Sequence, residues 1–192
     1  MSNYRRIRIK GGTYFFTVTL ADRSSQLLTE RIDFLRRAWA TTHRAKPFQT
    51  DAVVVLPDHI HVIWTLPPGD DAYSARWARI KAHFSRALSV DERRTSSKER
   101  KREKGIWQRR FWEHAIRDEE DLTRCKRYCW FNPVKHGHVA KPMDWAHSSI
   151  HRDVRRGSVD PEWIGGDEPG LFGERFDHPV GWASAHRDAT VG

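Results

Sequence analysis

The chain has 192 residues and carries 34 basic against 25 acidic side chains, a formal charge of +9. That length suits one domain with an appendage and can bury a proper core; no run approaches the ~18 apolar residues of a membrane span, and no signal sequence opens the chain. A cytoplasmic protein is expected. Residues 152–192 hold five basic and eight acidic side chains, so the first 151 hold 29 against 17, or +12. A body this basic points to a polyanion, most simply nucleic acid, although solubility alone also accounts for charge of that size. Cys125 and Cys129 are the only cysteines. They are too few for a disulfide framework or a four-thiolate zinc site and read as reduced, partly buried fillers.

In chain order, Tyr4-Arg5-Arg6-Ile7-Arg8-Ile9-Lys10 is a basic arm interleaved with aromatic and aliphatic residues, suited to phosphate contact and base stacking. Gly11-Gly12 makes a turn, and residues 13–20 (TYFFTVTL) read as a strand. Residues 22–29 read as a polar connection. Over 30–43, Ile32, Leu35, Ala38 and Trp39 recur at helical intervals, and Lys46-Pro47 follows. Two β-branched runs then flank Pro57-Asp58, with strands predicted over 53–56 and 59–66. Side chains alternate along a strand, so His59 and His61 share one face while Ile60, Val62 and Trp64 take the other. Either histidine alone reads as an ordinary core or surface residue. Two at i and i+2 in a rigid strand also form a pincer of imidazoles suited to a metal ion.

Pro67-Pro68-Gly69 closes that strand. A basic amphipathic helix is predicted over 73–88 from Trp77, Ile80, Phe84 and Leu88, followed by a charged loop over 91–104. Residues 106–116 (IWQRRFWEHAI) read as a fourth strand. Asp118 caps a last helix through about residue 131, which Pro133 is expected to stop. The order β, α, β, β, α, β, α outlines an α+β, ferredoxin-like antiparallel sheet with helices on one face and an extra C-terminal helix. On that extra helix Tyr128 and Asn132 lie one turn apart on one face. Residues 1–156 form the expected domain and 157–192 an irregular tail. The tail is expected to pack back on the body as a lid.

These stretches resemble a known family. Residues 56–67 (LPDHIHVIWTLP), 107–114 (WQRRFWEH) and 128–137 (YCWFNPVKHG), with the opening Tyr4-Arg5-Arg6 through Gly12-Thr13, resemble the signatures of the REP-associated tyrosine transposases, within the single-tyrosine His-hydrophobe-His (HUH) transposases of the insertion-sequence type. The resemblance implies a metal-dependent single-stranded DNA endonuclease and strand-transferase acting on REP-like hairpin palindromes through a 5′-phosphotyrosine. It implies Tyr128 as nucleophile and His59, His61 and Asn132 as ligands of Mg²⁺ or Mn²⁺. On charge and composition, Tyr4, Arg5, Arg6, Arg8 and Lys10 of the arm, with Arg109 and Arg110, are expected to contact DNA. A monomer or weak dimer associated with the nucleoid is expected. Two alternatives are a hairpin-binding module that does not cut, and a zinc hydrolase; the latter needs a third protein ligand, and no convincing further His, Cys or Glu lies near the pair.

Overall fold

The computed structural model describes residues 7–91 and 105–165. Strands β1 (Thr13–Thr19), β2 (Gln49–Val55), β3 (His59–Thr65) and β4 (Trp112–Ala115) form one antiparallel sheet in the order β2-β3-β1-β4. Helices α1 (Leu27–Glu30), α2 (Ile32–Ala45), α3 (Tyr73–Asp91), α4 (Glu119–Lys135) and α5 (Ile150–Arg155) accompany it, with a 3₁₀ turn at Pro142–Asp144.

Strand alternation sorts the core into two layers. Tyr14, Phe16 and Val18 of β1 join Ile60, Val62 and Trp64 of β3 against Leu35 of α2 and Trp77, Ile80 and Phe84 of α3. Trp64 stacks on Trp77 with ring centres 4.4 Å apart. Truncating such a residue to alanine costs about 3–5 kcal/mol, a large share of the stability of a small domain. The opposite layer packs Phe15, Ala52, Val54 and Ile63 against Cys125, Tyr128, Cys129 and Trp130 of α4. So α2 and α3 cover one face and the tyrosine helix the other. The two-residue turn Pro57-Asp58 is closed by Leu56 N–H donating to the His59 carbonyl at 2.8 Å.

Four expectations need correction. The stretch 22–29 is not a plain polar connection: α1 begins inside it, with Leu28 fully buried and its N–H donating to the Pro57 carbonyl at 3.0 Å. The helix read as starting at 30 is preceded by that turn and starts at Ile32. Of residues 106–116, only Trp112–Ala115 pair as a strand, with an isolated bridge at Trp107 to Leu20. Between them the chain turns outward and exposes Gln108, Arg109 and Arg110. Fourth, Pro133 does not stop α4. Proline lacks the N–H that would bond the carbonyl four residues back, yet the helix runs on past it to Lys135. Gly137 ends it with φ of 70°: Gly137 N–H donates to the Val134 carbonyl and His138 N–H to the Pro133 carbonyl, both at 2.9 Å.

Beyond α4 the chain returns to the outer edge of β2. Val55 N–H donates to the His147 carbonyl and Ser149 N–H to the Val53 carbonyl, with a bridge between Val54 and Ser148. Trp145 Nε1–H donates to the Val55 carbonyl at 2.9 Å, and the Arg152 guanidinium to the Thr50 and Asp51 carbonyls. Further on, Trp163 packs against Trp130. Arm residues Tyr4, Arg5 and Arg6, the loop after Asp91 and the tail beyond Gly165, with the lid expected of it, lie outside the described residues.

Candidate active site

The pleat of β3 directs His59 and His61 toward α4, opposite Thr19 and Thr17 of β1. Both imidazoles are buried, with ring centres 4.8 Å apart. Each is held through Nδ1. His59 Nδ1 lies 2.7 Å from Asp58 Oδ1, and Asp58 Oδ2 accepts from Arg23 Nε at 2.5 Å. His61 Nδ1 lies 2.9 Å from Thr17 Oγ1. The Nε2 atoms of both are buried and make no hydrogen bond. Burial pushes the His61 imidazolium well below its ordinary range, with like charge from His59, His136 and Lys135 adding to the effect. Burial works to raise the Asp58 carboxyl, but its bonds to His59 and Arg23 hold it below the usual carboxylate range.

Helix α4 brings the tyrosine. Asp118 caps it by accepting from Asp121 N–H at 2.8 Å, and three acidic residues fill its first turn, matching the positive helix end. Asp121, Cys125, Tyr128, Cys129 and Asn132 recur at three- and four-residue spacing and are buried against the sheet. Cys129 Sγ donates to the His61 carbonyl at 3.4 Å, tying helix to strand. The Tyr128 ring meets His61 at 5.4 Å and Phe15 at 5.8 Å, and Lys135 Nζ stands 5.3 Å from its centre. Asn132 is fully buried. It lies close enough to His61 to favour that ring's protonated form, yet neither its oxygen nor its nitrogen makes a well-formed hydrogen bond.

The turn of α4 beyond Pro133 sets His136 5.1 Å from His59, ring centre to ring centre. A further histidine does therefore stand beside the pair, contrary to expectation. It is a neighbour rather than a member of a tight donor set. Among the described residues, the grouping of three His, Cys, Asp or Glu donors within 4.8 Å of one another is His114, Asp121 and Cys125. That group has the wrong chemistry for a cation. Asp121 already accepts from His114 Nε2 at 2.8 Å, from Arg117 through both its backbone and Nε, and from Arg124 at 3.0 Å. Burial pushes the Cys125 thiol up to about 12, away from the thiolate a metal needs. The group instead fastens the start of α4 to β4.

By contrast, the two imidazole Nε2 atoms, on rings held through Nδ1, and the Asn132 amide fit a divalent ion: they are buried donor atoms with no competing hydrogen bond. The structure brings together His59, His61, Tyr128 and Asn132. It does not bring the described part of the arm, residues 7–10, to them. Ile9 N–H donates to Tyr14 Oη and Tyr14 Oη–H to the Ile9 carbonyl, while Tyr73 Oη–H donates to the Ile7 carbonyl, so the described arm lies on the α3 side of the sheet. There Arg8 and Lys10 are exposed, and Arg8 pairs loosely with Asp71 at 3.9 Å. Arg109 and Arg110 are exposed at the other end of β1, where Gln108 N–H donates to the Thr19 carbonyl.

This chain is 48% identical over 176 residues to the REP-associated tyrosine transposase of Escherichia coli (strain K12), covering 92% of this chain and 99% of that protein. The chain belongs to the REP-associated tyrosine transposases. A putative REP-associated tyrosine transposase of Haemophilus influenzae is 46% identical over 175 residues, covering 91% of this chain and 99% of that one. A solved REP-associated tyrosine transposase, bound to a REP hairpin, superposes with a TM-score of 0.81 at 48% identity, covering 91% of this chain and 98% of that chain. No family model matches. The α+β architecture, with its four-stranded antiparallel sheet, is thus that of a REP-associated tyrosine transposase. No helix among the described residues is long and apolar enough to cross a membrane.

Sequence reasoning missed Asp58, Thr17 and His136. His136 had a signal: it follows Asn132 by four residues, as Asn132 follows Tyr128. Reading Pro133 as a stop hid it. Thr17 becomes visible only once the register of β1 on β3 is known.

Proposed function

We propose that the protein cuts and rejoins single-stranded DNA at REP-like hairpins, with Tyr128 as nucleophile. The observation that carries the reading is that His59 and His61 adjoin one another, with Asn132 and the Tyr128 ring beside His61, and that both Nε2 atoms and the Asn132 amide are buried without hydrogen bonds. The solved relative's REP hairpin supports the choice of DNA.

His59, His61 and Asn132 would hold Mg²⁺ or Mn²⁺, which supplies positive charge to the phosphodiester under attack; imidazole ligands suit Mn²⁺ at least as well as Mg²⁺. Tyr128 Oη forms a bond to phosphorus as the bond from phosphorus to the 3′ oxygen breaks. The phenolic proton is released and the departing 3′ oxygen takes one up, leaving a 5′-phosphotyrosine and a free 3′-OH. Reversal rejoins strands. Helix α4 keeps the phenol on a rigid element facing β3, so the reacting groups are oriented before DNA arrives. Lys135 places a positive charge beside the Tyr128 ring. Arg8, Lys10, Arg109 and Arg110, with Tyr4, Arg5 and Arg6, would follow the DNA backbone and its unpaired bases.

The test is incubation of the protein with labelled single-stranded hairpin DNA and Mg²⁺ or Mn²⁺. A covalent protein–DNA adduct that disappears with EDTA supports the reading. Tight hairpin binding with no adduct under either metal would make the chain a binding module.

A further inference from the structure

We propose that Asp58, clamped by Arg23, is a positioning residue that fixes His59 in the tautomer whose Nε2 lone pair faces the cation site; this rests on reading His59 and His61 as ligands. A neutral imidazole carries one proton, on whichever nitrogen meets an acceptor. An ionised carboxylate can only accept. With Asp58 Oδ1 2.7 Å from His59 Nδ1, the proton belongs on Nδ1, and Nε2 is left as the donor atom, buried and without another partner.

Asp58 is itself held on several sides. Its Oδ2 takes Arg23 Nε at 2.5 Å, so both carboxylate oxygens are committed and the group cannot rotate away from the ring without losing two bonds. Its carbonyl accepts from Leu20 N–H at 2.8 Å, and the neighbouring Pro57 carbonyl accepts from Leu28 N–H, so the turn is fixed to both β1 and α1. The Asp58 side chain is 12% exposed and that of Arg23 34%, which makes the arginine the outer member of the relay.

The second histidine is served differently. Thr17 Oγ1, at 2.9 Å from His61 Nδ1, can donate or accept, so it orients the ring without dictating which nitrogen carries the proton. The two ligands are therefore unequal: His59 is set by an anion and His61 by a hydroxyl. A carboxylate bonded to a ligating histidine also raises the basicity of the ligand nitrogen, and losing such a partner costs metal affinity about 10- to 100-fold.

The test uses the full chain without DNA. Mn²⁺ binding is titrated by the electron paramagnetic resonance signal of the free aqueous ion, for wild type, Asp58→Asn, Arg23→Gln and His59→Ala. The His59 tautomer of the metal-free wild type is read from long-range ¹H–¹⁵N correlation spectra at about pH 8. The expected result is a proton on Nδ1, Mn²⁺ affinity lowered about 10- to 100-fold in Asp58→Asn, and a smaller loss in Arg23→Gln. If His59→Ala abolishes Mn²⁺ binding while Asp58→Asn stays within about threefold of wild type, the positioning role is overturned and the cation site stands. If His59→Ala binds Mn²⁺ like wild type, the cation site itself fails, and the proposal with it. Should Asp58→Asn not fold, the tautomer of the wild type decides: a proton on Nε2 overturns the proposal.

Discussion

The rings of His61 and Tyr128 meet nearly edge to face, 5.4 Å between centres, so the candidate nucleophile is packed directly on a candidate ligand. Tyr128→Phe preserves that ring contact and the one to Phe15 while deleting the hydroxyl. The expected outcome is complete loss of the covalent adduct, with hairpin affinity and melting temperature close to wild type. An adduct of wild-type yield would sink the assignment of Tyr128.

Asn132 is placed at a cost to stability. Its amide is buried and makes no well-formed hydrogen bond, a situation worth about 1–3 kcal/mol against the fold. Asn132→Leu, similar in shape and apolar, is expected to raise the melting temperature of the metal-free protein by about 2–4 °C while abolishing Mn²⁺ binding. A fall in melting temperature would mean that the amide is structural.

The pH dependence of the metal-free fold has a definite sign. His61 and His147 are both pushed down in the folded state, first by burial. Below about pH 6.5 the unfolded chain therefore binds protons that the folded one refuses, and stability, full above that pH, falls as pH falls, by up to about 1.4 kcal/mol per pH unit for each such proton. Asp121, held far down against burial by His114 and Arg124, adds a second loss of the same sign below about pH 4. Urea titrations across this range should show a shallower slope near pH 6 in His61→Gln. An unchanged slope would remove His61 as its source.

Both thiols should be inert in the folded protein. Burial pushes Cys125 up to about 12 and Cys129 well above its usual value. Iodoacetamide at about pH 8 is expected to label neither until denaturant is added, since only the thiolate reacts. Prompt labelling of Cys125 in native buffer would contradict its burial.

Arg8 and Lys10 are exposed, and the ion pair of Arg8 with Asp71 is worth little to the fold. Arg8→Ala and Lys10→Ala should each weaken hairpin binding at low salt and reduce the slope of log affinity against log salt by roughly 1, leaving melting temperature unchanged. Equal slopes in mutant and wild type would take the arm off the DNA.

Much of this geometry was legible in the residues. The alternation across His59 and His61 and the cap at Asp118 depend on local rules, and both hold in the fold. What stayed hidden depends on distant partners. Nothing near Trp145 or Arg152 announces that they bond to the carbonyls of β2, some 90 to 102 residues away in sequence. The end of α4 was hidden for a different reason: the helix passes through Pro133, and the left-handed Gly137 two residues past Lys135 supplies the stop. Asp58 read as a turn residue because the same type serves turns and imidazoles alike.

Residues 145–152 have one more consequence, for the behaviour of many copies together. A sheet edge with free N–H and carbonyl groups invites another chain to pair with it, and so invites aggregation. Here the outer edge of β2 is already occupied by the chain's own backbone at His147 and Ser149, reinforced by Trp145 and Arg152. A second molecule could not extend the sheet on that side without first displacing this strip. The opposite edge, β4, is four residues long. Among the described residues, neither side presents a long open template for a second copy to pair with.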